Sequence, residues 1–311
     1  MNHAQLSSES DFRGRDGLVM PSVGFGTYTI PADVVEGAVD LALSSGYRHV
    51  DTAADYGNEE GVGLAIQKHF ERGLSREELF VTTKLWPGNS EWDQEPKTYA
   101  SSIDACISSL EKLQLRYVDL YLIHAPFHPE QRLEQWRALV ELREQGRVRA
   151  IGVSNFSARH IEEIRAAGFP LPAANQLELH PWSQKPELLR CLRENDILPI
   201  AYSSLLPLAT WRSSPDQKSL KTNEMVAQAE SDESPLVKLA SKYRVSQAQV
   251  LLRWALQNGF AVLPKSVRDD RIRQNLDLFG FEIDELDMRA IESWDRGPGL
   301  AWPSGDPTLF A

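Results

Sequence analysis

An acid, a phenol, an amine and an imidazole recur in the first half of the chain near the ends of short apolar runs: Asp51 with Tyr56 just beyond it, then Lys84, then His124. Singly, each has an ordinary explanation, since Asp51 suits a helix cap, Lys84 a salt bridge and His124 a satisfied core position. As a set they can move a proton. A tyrosine hydroxyl titrates near ~10, too high for efficient transfer at neutral pH unless its anion is stabilised. A neighbouring Lys84 ammonium would do that, Asp51 would keep Lys84 charged and oriented, and His124 would hydrogen-bond and position the oxygen of a bound carbonyl.

Such a set works only if separate elements converge. Eight apolar runs of strand length occur at 23–27, 49–53, 79–85, 118–124, 150–154, 175–179, 198–203 and 261–265. Between them lie segments of helical periodicity at 34–43, 59–70, 98–113, 131–143, 158–167, 186–194, 247–256 and 269–278. Continuous hydrophobicity, as in residues 118–123, suits strands covered on both faces, and eight βα units match the count that closes a parallel barrel. The fold class is therefore α/β, a (β/α)8 TIM barrel, with 1–311 read as one domain. A doubly wound two-domain sheet is the structural rival, because a pattern does not show closure. In a barrel the chemistry sits at the C-terminal strand ends. Further polar residues fall there: Ser154, Asn155, Asn175, Gln176, Glu178, His180, Tyr202, Ser203, Lys265 and Ser266.

A barrel of this kind takes about 250 residues, and the surplus can be placed. Residues 12–21 carry Arg15-Asp16-Gly17, a turn signal for a small N-terminal β-hairpin closing the barrel bottom. The polar stretch 205–234 is a long loop after the seventh strand, too long for an ordinary βα connection and read as a flap. The tail 297–311, rich in Gly and Pro but carrying Trp302 and Phe310, is placed over the pocket.

Composition narrows the function classes. With 33 Lys+Arg against 44 Asp+Glu, the formal charge is −11, which argues against coating a nucleic-acid backbone or an anionic membrane. Cys106 and Cys191 form no disulfide framework and no metal-ligand spacing, as expected of thiols in a reducing compartment. The first residues show no apolar core of a signal peptide, and no run reaches membrane-span length. A cytoplasmic protein is expected, monomeric or weakly dimeric. The run Gly61-Val62-Gly63-Leu64-Ala65-Ile66 begins like a dinucleotide fingerprint, but position 66 is not glycine and the run lies in a helical pattern. It is given no cofactor role.

The segments Gly24-Phe25-Gly26-Thr27-Tyr28, Asp51-Thr52-Ala53-Ala54-Asp55-Tyr56, Thr82-Thr83-Lys84-Leu85-Trp86, Leu122-Ile123-His124, Ile151-Gly152-Val153-Ser154-Asn155-Phe156 and Leu263-Pro264-Lys265-Ser266 make the chain resemble the aldo-keto reductases. The resemblance runs from about Gly17 to Asn275. It implies NADPH-dependent reduction of aldehydes and ketones, with Tyr56 as general acid and Asp51, Lys84 and His124 in support.

It also implies a cofactor site. Ser154, Asn155 and Gln176 offer groups suited to a nicotinamide carboxamide, and Tyr202 a flat ring for stacking. Gly26, Thr27, Asp51, Ser203, Leu205 and Val267 fall at other family cofactor positions. Past the eighth strand, Lys265, Arg268, Arg271 and Arg273 face only Asp269 and Asp270. Lys265, Ser266 and Arg271 match positions that bind the adenosine 2'-phosphate, and Asn275 one near the adenine, which favours NADPH over NADH. Gln274 stands where an acidic residue often contacts the adenine amine. Tyr28, Trp86, His124, Phe127 and Trp302 are the candidate substrate residues. His124 is followed by Ala125-Pro126-Phe127 where many members carry tryptophan. This resembles a fungal branch reducing α-dicarbonyls, α-keto amides or ketopantoyl lactone, and leaves room if Ala125 lines the pocket. A non-catalytic NADPH-binding sensor or interaction subunit is the alternative function. A Schiff-base enzyme using Lys84 or Lys265 is a third.

Overall fold

The computed structural model describes residues 11–208, 231, 234–302 and 305–310. It begins with the expected hairpin, in which β1 (Asp11–Arg13) pairs antiparallel with β2 (Val19–Pro21), so that Phe12 faces Met20. Asp16 (φ 56°) and Gly17 (φ 76°) take the left-handed conformations that reverse the chain between them.

All eight expected runs are strands of one parallel sheet: β3 (Phe25–Gly26), β4 (His49–Asp51), β5 (Phe80–Leu85), β6 (Val118–Ile123), β7 (Val148–Ser154), β8 (Ala174–Glu178), β9 (Leu198–Tyr202) and β10 (Ala261–Val262). Their order in the sheet is their order in the chain. Val23 bridges Val262, with the Gly24 N–H donating to the Val262 carbonyl at 2.8 Å and the Val262 N–H to the Ser22 carbonyl at 2.9 Å, so the last strand meets the first. The fold is a TIM barrel, and the two-domain rival is set aside.

The helices are α1 (Ala32–Ser44), α2 (Glu59–Glu71), α3 (Tyr99–Leu113), α4 (Pro129–Glu144), α5 (Ala158–Ala166), α6 (Pro186–Glu194), α7 (Pro235–Tyr243), α8 (Gln247–Gln257), α9 (Asp269–Leu276) and α10 (Glu285–Glu292). Their starts are written in the sequence: Thr98, Ser157 and Ser246 each accept from a backbone N–H three residues on, and the residue there bonds back. α7 and α10 lie outside the helical segments read from periodicity. Gly61 and Gly63 fall inside α2, consistent with denying that run a cofactor role.

Strand alternation divides the core in two. Leu120, Leu122, Ala150, Ala174, Leu198, Ile200, Ala261 and Leu263 fill the barrel interior, and Leu18 and Met20 of the hairpin region join them. The residues between them, such as Tyr121, Ile123, Ile151, Val153, Leu177, Ala201 and Val262, pack against the helices. Because a strand's side chains have period two, every interior position on β6, β8 and β9 is even-numbered, and the same parity carries Lys84, His124, Ser154, Gln176 and Tyr202 toward the barrel mouth. Of the long loop read as a flap, residues 209–230 and 232–233 lie outside the described ones. Among the described residues no helix is long and apolar enough to cross a membrane.

Candidate active site

A cleft of about 880 Å³ opens at the C-terminal strand ends. At its centre Lys84, fully buried, donates from Nζ to Asp51 Oδ1 at 2.6 Å, to the Thr52 carbonyl at 2.8 Å and to the Tyr56 hydroxyl at 3.2 Å. Gln176 Nε2 donates to the other Asp51 oxygen at 2.8 Å. The Asp51 carboxylate is thus held at both oxygens and has little freedom to rotate. Burial pushes its carboxyl up and the Lys84 ammonium down, while their ion pair opposes both shifts.

Tyr56 reaches this group from a single 3-10 turn, Ala54–Tyr56, reversed by Gly57 at φ 64°. Burial, with the charge of Asp51 and smaller contributions from Tyr28 and Asp55, raises the phenol well above its ordinary value. The hydroxyl is therefore protonated at neutral pH, and Lys84 stands ready to stabilise the anion once the proton leaves. His124 lies edge-on to Tyr56 with ring centroids 5.6 Å apart. Burial and the nearby Lys84 charge hold its imidazole well below its usual value, so it is neutral, and its buried Nδ1 has no hydrogen-bond partner among the described residues.

Beside this centre lies a connected polar array. Asn155, at φ 63°, donates from Nδ2 to the His124 carbonyl and to Ser154 Oγ, both at 3.0 Å, and its Oδ1 accepts from the Tyr202 hydroxyl at 2.8 Å. A left-handed non-glycine residue costs on the order of 1 kcal/mol and persists where its surroundings dictate it. Here three side-chain bonds do. Ser203, at φ 54°, is a second such residue on the cleft wall. Gly26 is required for a different reason: a Cβ there would stand 2.9 Å from the Leu263 carbonyl, where the first barrel strand meets the last.

The far end of the cleft is basic, and the structure resolves the four cations and two acids of that segment. Arg268 pairs with Asp270 at 2.7 Å and Arg273 with Asp269 at 2.7 Å. Lys265 and Arg271, which line the cleft with Ser266 and Asn275, form no salt bridge among the described residues. Two cations without a salt bridge among the described residues, with a hydroxyl, make a cradle for a phosphate-sized anion.

The other expected site residues divide. Gly26, Tyr28, Ser203, Leu205 and Trp302 line the cleft. Thr27 does not: it is fully buried, with its hydroxyl donating to the Asp51 carbonyl oxygen of the main chain at 3.1 Å, and so supports β4 instead. Val267 is 53% exposed and is not on the cleft lining. Trp86 and Phe127 stand just behind the cleft wall, Trp86 edge-on to His124 at 5.4 Å and Phe127 edge-on to Trp302 at 5.5 Å. Ala125 is fully buried off the lining, because it follows an inward-facing position; it leaves no room in the cleft. The lining also includes Gln274, at the adenine position, and Asp55 and Trp92, which the sequence did not point to.

The tail closes one side, as expected. The Glu178 carboxylate accepts from the Leu300 and Ala301 N–H groups at 2.7 Å each and hydrogen-bonds His180 at 3.0 Å, while Asp306 pairs with Lys185. A Cβ at Gly299 would collide with Glu178. So anchored, Trp302 donates from Nε1 to the Tyr202 hydroxyl at 2.8 Å and lies parallel to Trp86, 6.2 Å away. Burial alone would raise the Glu178 carboxyl, but its hydrogen bonds outweigh burial and hold it below the usual range. Its contribution to stability is therefore present at neutral pH and lost as pH falls through that lowered value. Glu178→Leu leaves two N–H groups without acceptors; a loss of about 3 kcal/mol in denaturant unfolding and a raised KM are expected. Unchanged unfolding would mean the latch carries no load.

Comparisons with known proteins agree with this geometry. The profile of the Aldo/keto reductase family matches residues 22–296. A glyoxal reductase of Bacillus subtilis is 38% identical over 296 residues, 95% of this chain and 96% of its own length. A methylglyoxal reductase, DkgA of Escherichia coli, is 36% identical over 298 residues, covering 95% and 96%. A Bombyx mori aldo-keto reductase, solved in complex with NADP, superposes with a TM-score of 0.81 at 33% identity over 94% of both chains.

Proposed function

The chain belongs to the aldo/keto reductase family and is an NADP-dependent oxidoreductase that reduces carbonyl groups; from that premise we propose that Tyr56 is its proton donor and small neutral α-dicarbonyls its preferred substrates. The observation that carries the first part is Lys84, bonded at once to Asp51 and to the Tyr56 hydroxyl. Support for the second is that both named relatives are reductases of α-dicarbonyl aldehydes.

The residues present fit the cofactor. Lys265, Arg271 and Ser266 would hold its adenosine phosphate, with Asn275 beside them. Ser154, Asn155 and Gln176 would meet the carboxamide, and the Tyr202 ring, fixed through its hydroxyl by Asn155 and Trp302, would give the nicotinamide a face to stack on. NADPH, when bound, supplies the hydride that reduces the carbonyl carbon. The chain does the rest. The neutral His124 hydrogen-bonds the substrate oxygen, Tyr56 gives that oxygen its phenolic proton, and the resulting phenolate is met by the Lys84 ammonium. Asp51 holds the ammonium in place and charged. In alcohol oxidation Tyr56 takes the proton back.

Two expectations follow from this assignment. Because Tyr56 is raised and His124 lowered, neither changes charge near neutrality. The kcat for reduction should then be flat from about pH 6 to about pH 9 and fall only in alkali as the phenol ionises. A step near pH 6.5 would put a charged histidine in the mechanism. In a panel of methylglyoxal, glyoxal, propanal and acetophenone, the α-dicarbonyls should exceed the simple carbonyls in kcat/KM by about tenfold or more, since the second carbonyl gives the polar centre another acceptor to hold. Equal values would remove the substrate class while leaving the reaction.

A further inference from the structure

The charges along the cleft are unevenly distributed, and the geometry points to Asp55 as a residue that sets substrate charge, turning the carbonyl end against anions and toward neutral or cationic carbonyls. This rests on the reading of the cleft as a carbonyl-reducing site. Among the described residues, the charged side chains on its lining are Asp51, Asp55, Lys265 and Arg271. Lys265 and Arg271 belong to the phosphate end. At the carbonyl end the Asp51 charge is cancelled by Lys84 at 2.6 Å, and His124 is neutral.

Asp55 is left without compensation: among the described residues it has no hydrogen bond and no ion pair. It sits one residue before Tyr56, on the turn that delivers the proton donor, and its charge is among those felt by the Tyr56 phenol. The same lining carries Tyr28, Trp92 and Trp302, with the Tyr28 ring 5.0 Å from that of Tyr56 and the Trp302 ring 5.8 Å from that of His124. Aromatic faces give a carboxylate no hydrogen-bond donor and carry negative π-density, which disfavours an anion and favours a cation. A substrate bearing a carboxylate would thus meet one unmatched negative charge at this end. At rim exposure the penalty is modest, about fivefold in kcat/KM.

The test compares three aldehydes of one shape, para-carboxybenzaldehyde, its methyl ester and para-trimethylammoniobenzaldehyde, in the wild type, Asp55→Asn and Asp55→Glu. Ratios of kcat/KM to the ester cancel any loss common to a variant. In the wild type the carboxylate should be about fivefold or more poorer than the ester. In Asp55→Asn the carboxylate-to-ester ratio should rise about fivefold and the cation-to-ester ratio fall, while Asp55→Glu keeps the wild-type order. A second readout is the Kd of the corresponding benzyl alcohols, followed by quenching of the indoles of Trp86, Trp92 and Trp302, where the same charge ranking should appear. Ratios within about twofold of wild type in Asp55→Asn, by turnover or by Kd, would overturn the assignment. If the ester is not turned over by any form, the carbonyl-reducing reading fails, whereas the Kd ranking still decides the role of Asp55.

Discussion

Tyr56→Phe is expected to lower kcat for carbonyl reduction by about 10³-fold while leaving the Kd for NADPH within about twofold. The substitution removes one oxygen and keeps the ring, whose contacts with Tyr28 at 5.0 Å and His124 at 5.6 Å hold the turn in place. Lys84 loses its bond to the phenol but keeps Asp51 and the Thr52 carbonyl, so the buried ion pair stays matched. That is why Tyr56 is a better probe than Lys84. Lys84→Met would strand the Asp51 carboxylate, 3% exposed, without its counter-ion, and the resulting loss of about 3 to 5 kcal/mol of stability would confound any kinetic reading. Steady-state kinetics with methylglyoxal and fluorescence titration of NADPH separate the two quantities. Unimpaired turnover would take the proton donor's role from Tyr56.

The second large effect concerns the cofactor. Lys265→Met with Arg271→Met should weaken NADPH about 100-fold and NADH only a few-fold, because each cation contributes a charge-assisted hydrogen bond to a phosphate that NADH lacks. The local pairing makes the assignment specific. Arg268 and Arg273 already have Asp270 and Asp269, so Arg268→Met with Arg273→Met should change the ratio of the two Kd values little. Titrating both dinucleotides against both double variants decides it. Equal losses for NADPH and NADH, or an equal effect of the two pairs, would contradict the phosphate assignment.

Much of this site was legible because strand periodicity is written directly in residue order. Interior positions on a strand repeat every second residue, so the polar residues that end the apolar runs, Asp51, Lys84, His124, Ser154, Gln176 and Tyr202, were bound to converge once the barrel closed. The hairpin was legible from its turn residues. What was not legible depends on geometry that has no period. Asp55 and Trp92 lie on 3-10 turns, where the direction of a side chain follows from one or two dihedrals and leaves no pattern. Thr27 and Val267 fall at expected cofactor positions but off the cleft lining: the Thr27 hydroxyl is held by the Asp51 main chain, and Val267 is exposed. Ala125 failed for the reason Lys84 and His124 succeeded. It follows an inward-facing position and so falls off the cleft. The α-dicarbonyl hint drawn from it loses that footing, and the same class now rests on the two relatives. The helices α7 and α10, 9 and 8 residues long, fall outside the segments read from periodicity, although Ser234-Pro235 and Asp284 mark their starts.

Carbonyl reduction is tested by one assay, consumption of NADPH by the purified protein with methylglyoxal, with NADH run in parallel and the alcohol product quantified. One alcohol formed per NADPH consumed, with NADPH preferred by about tenfold or more, is the expected result. Tight NADPH binding with no consumption would contradict it, and would leave a barrel that holds the cofactor without using it.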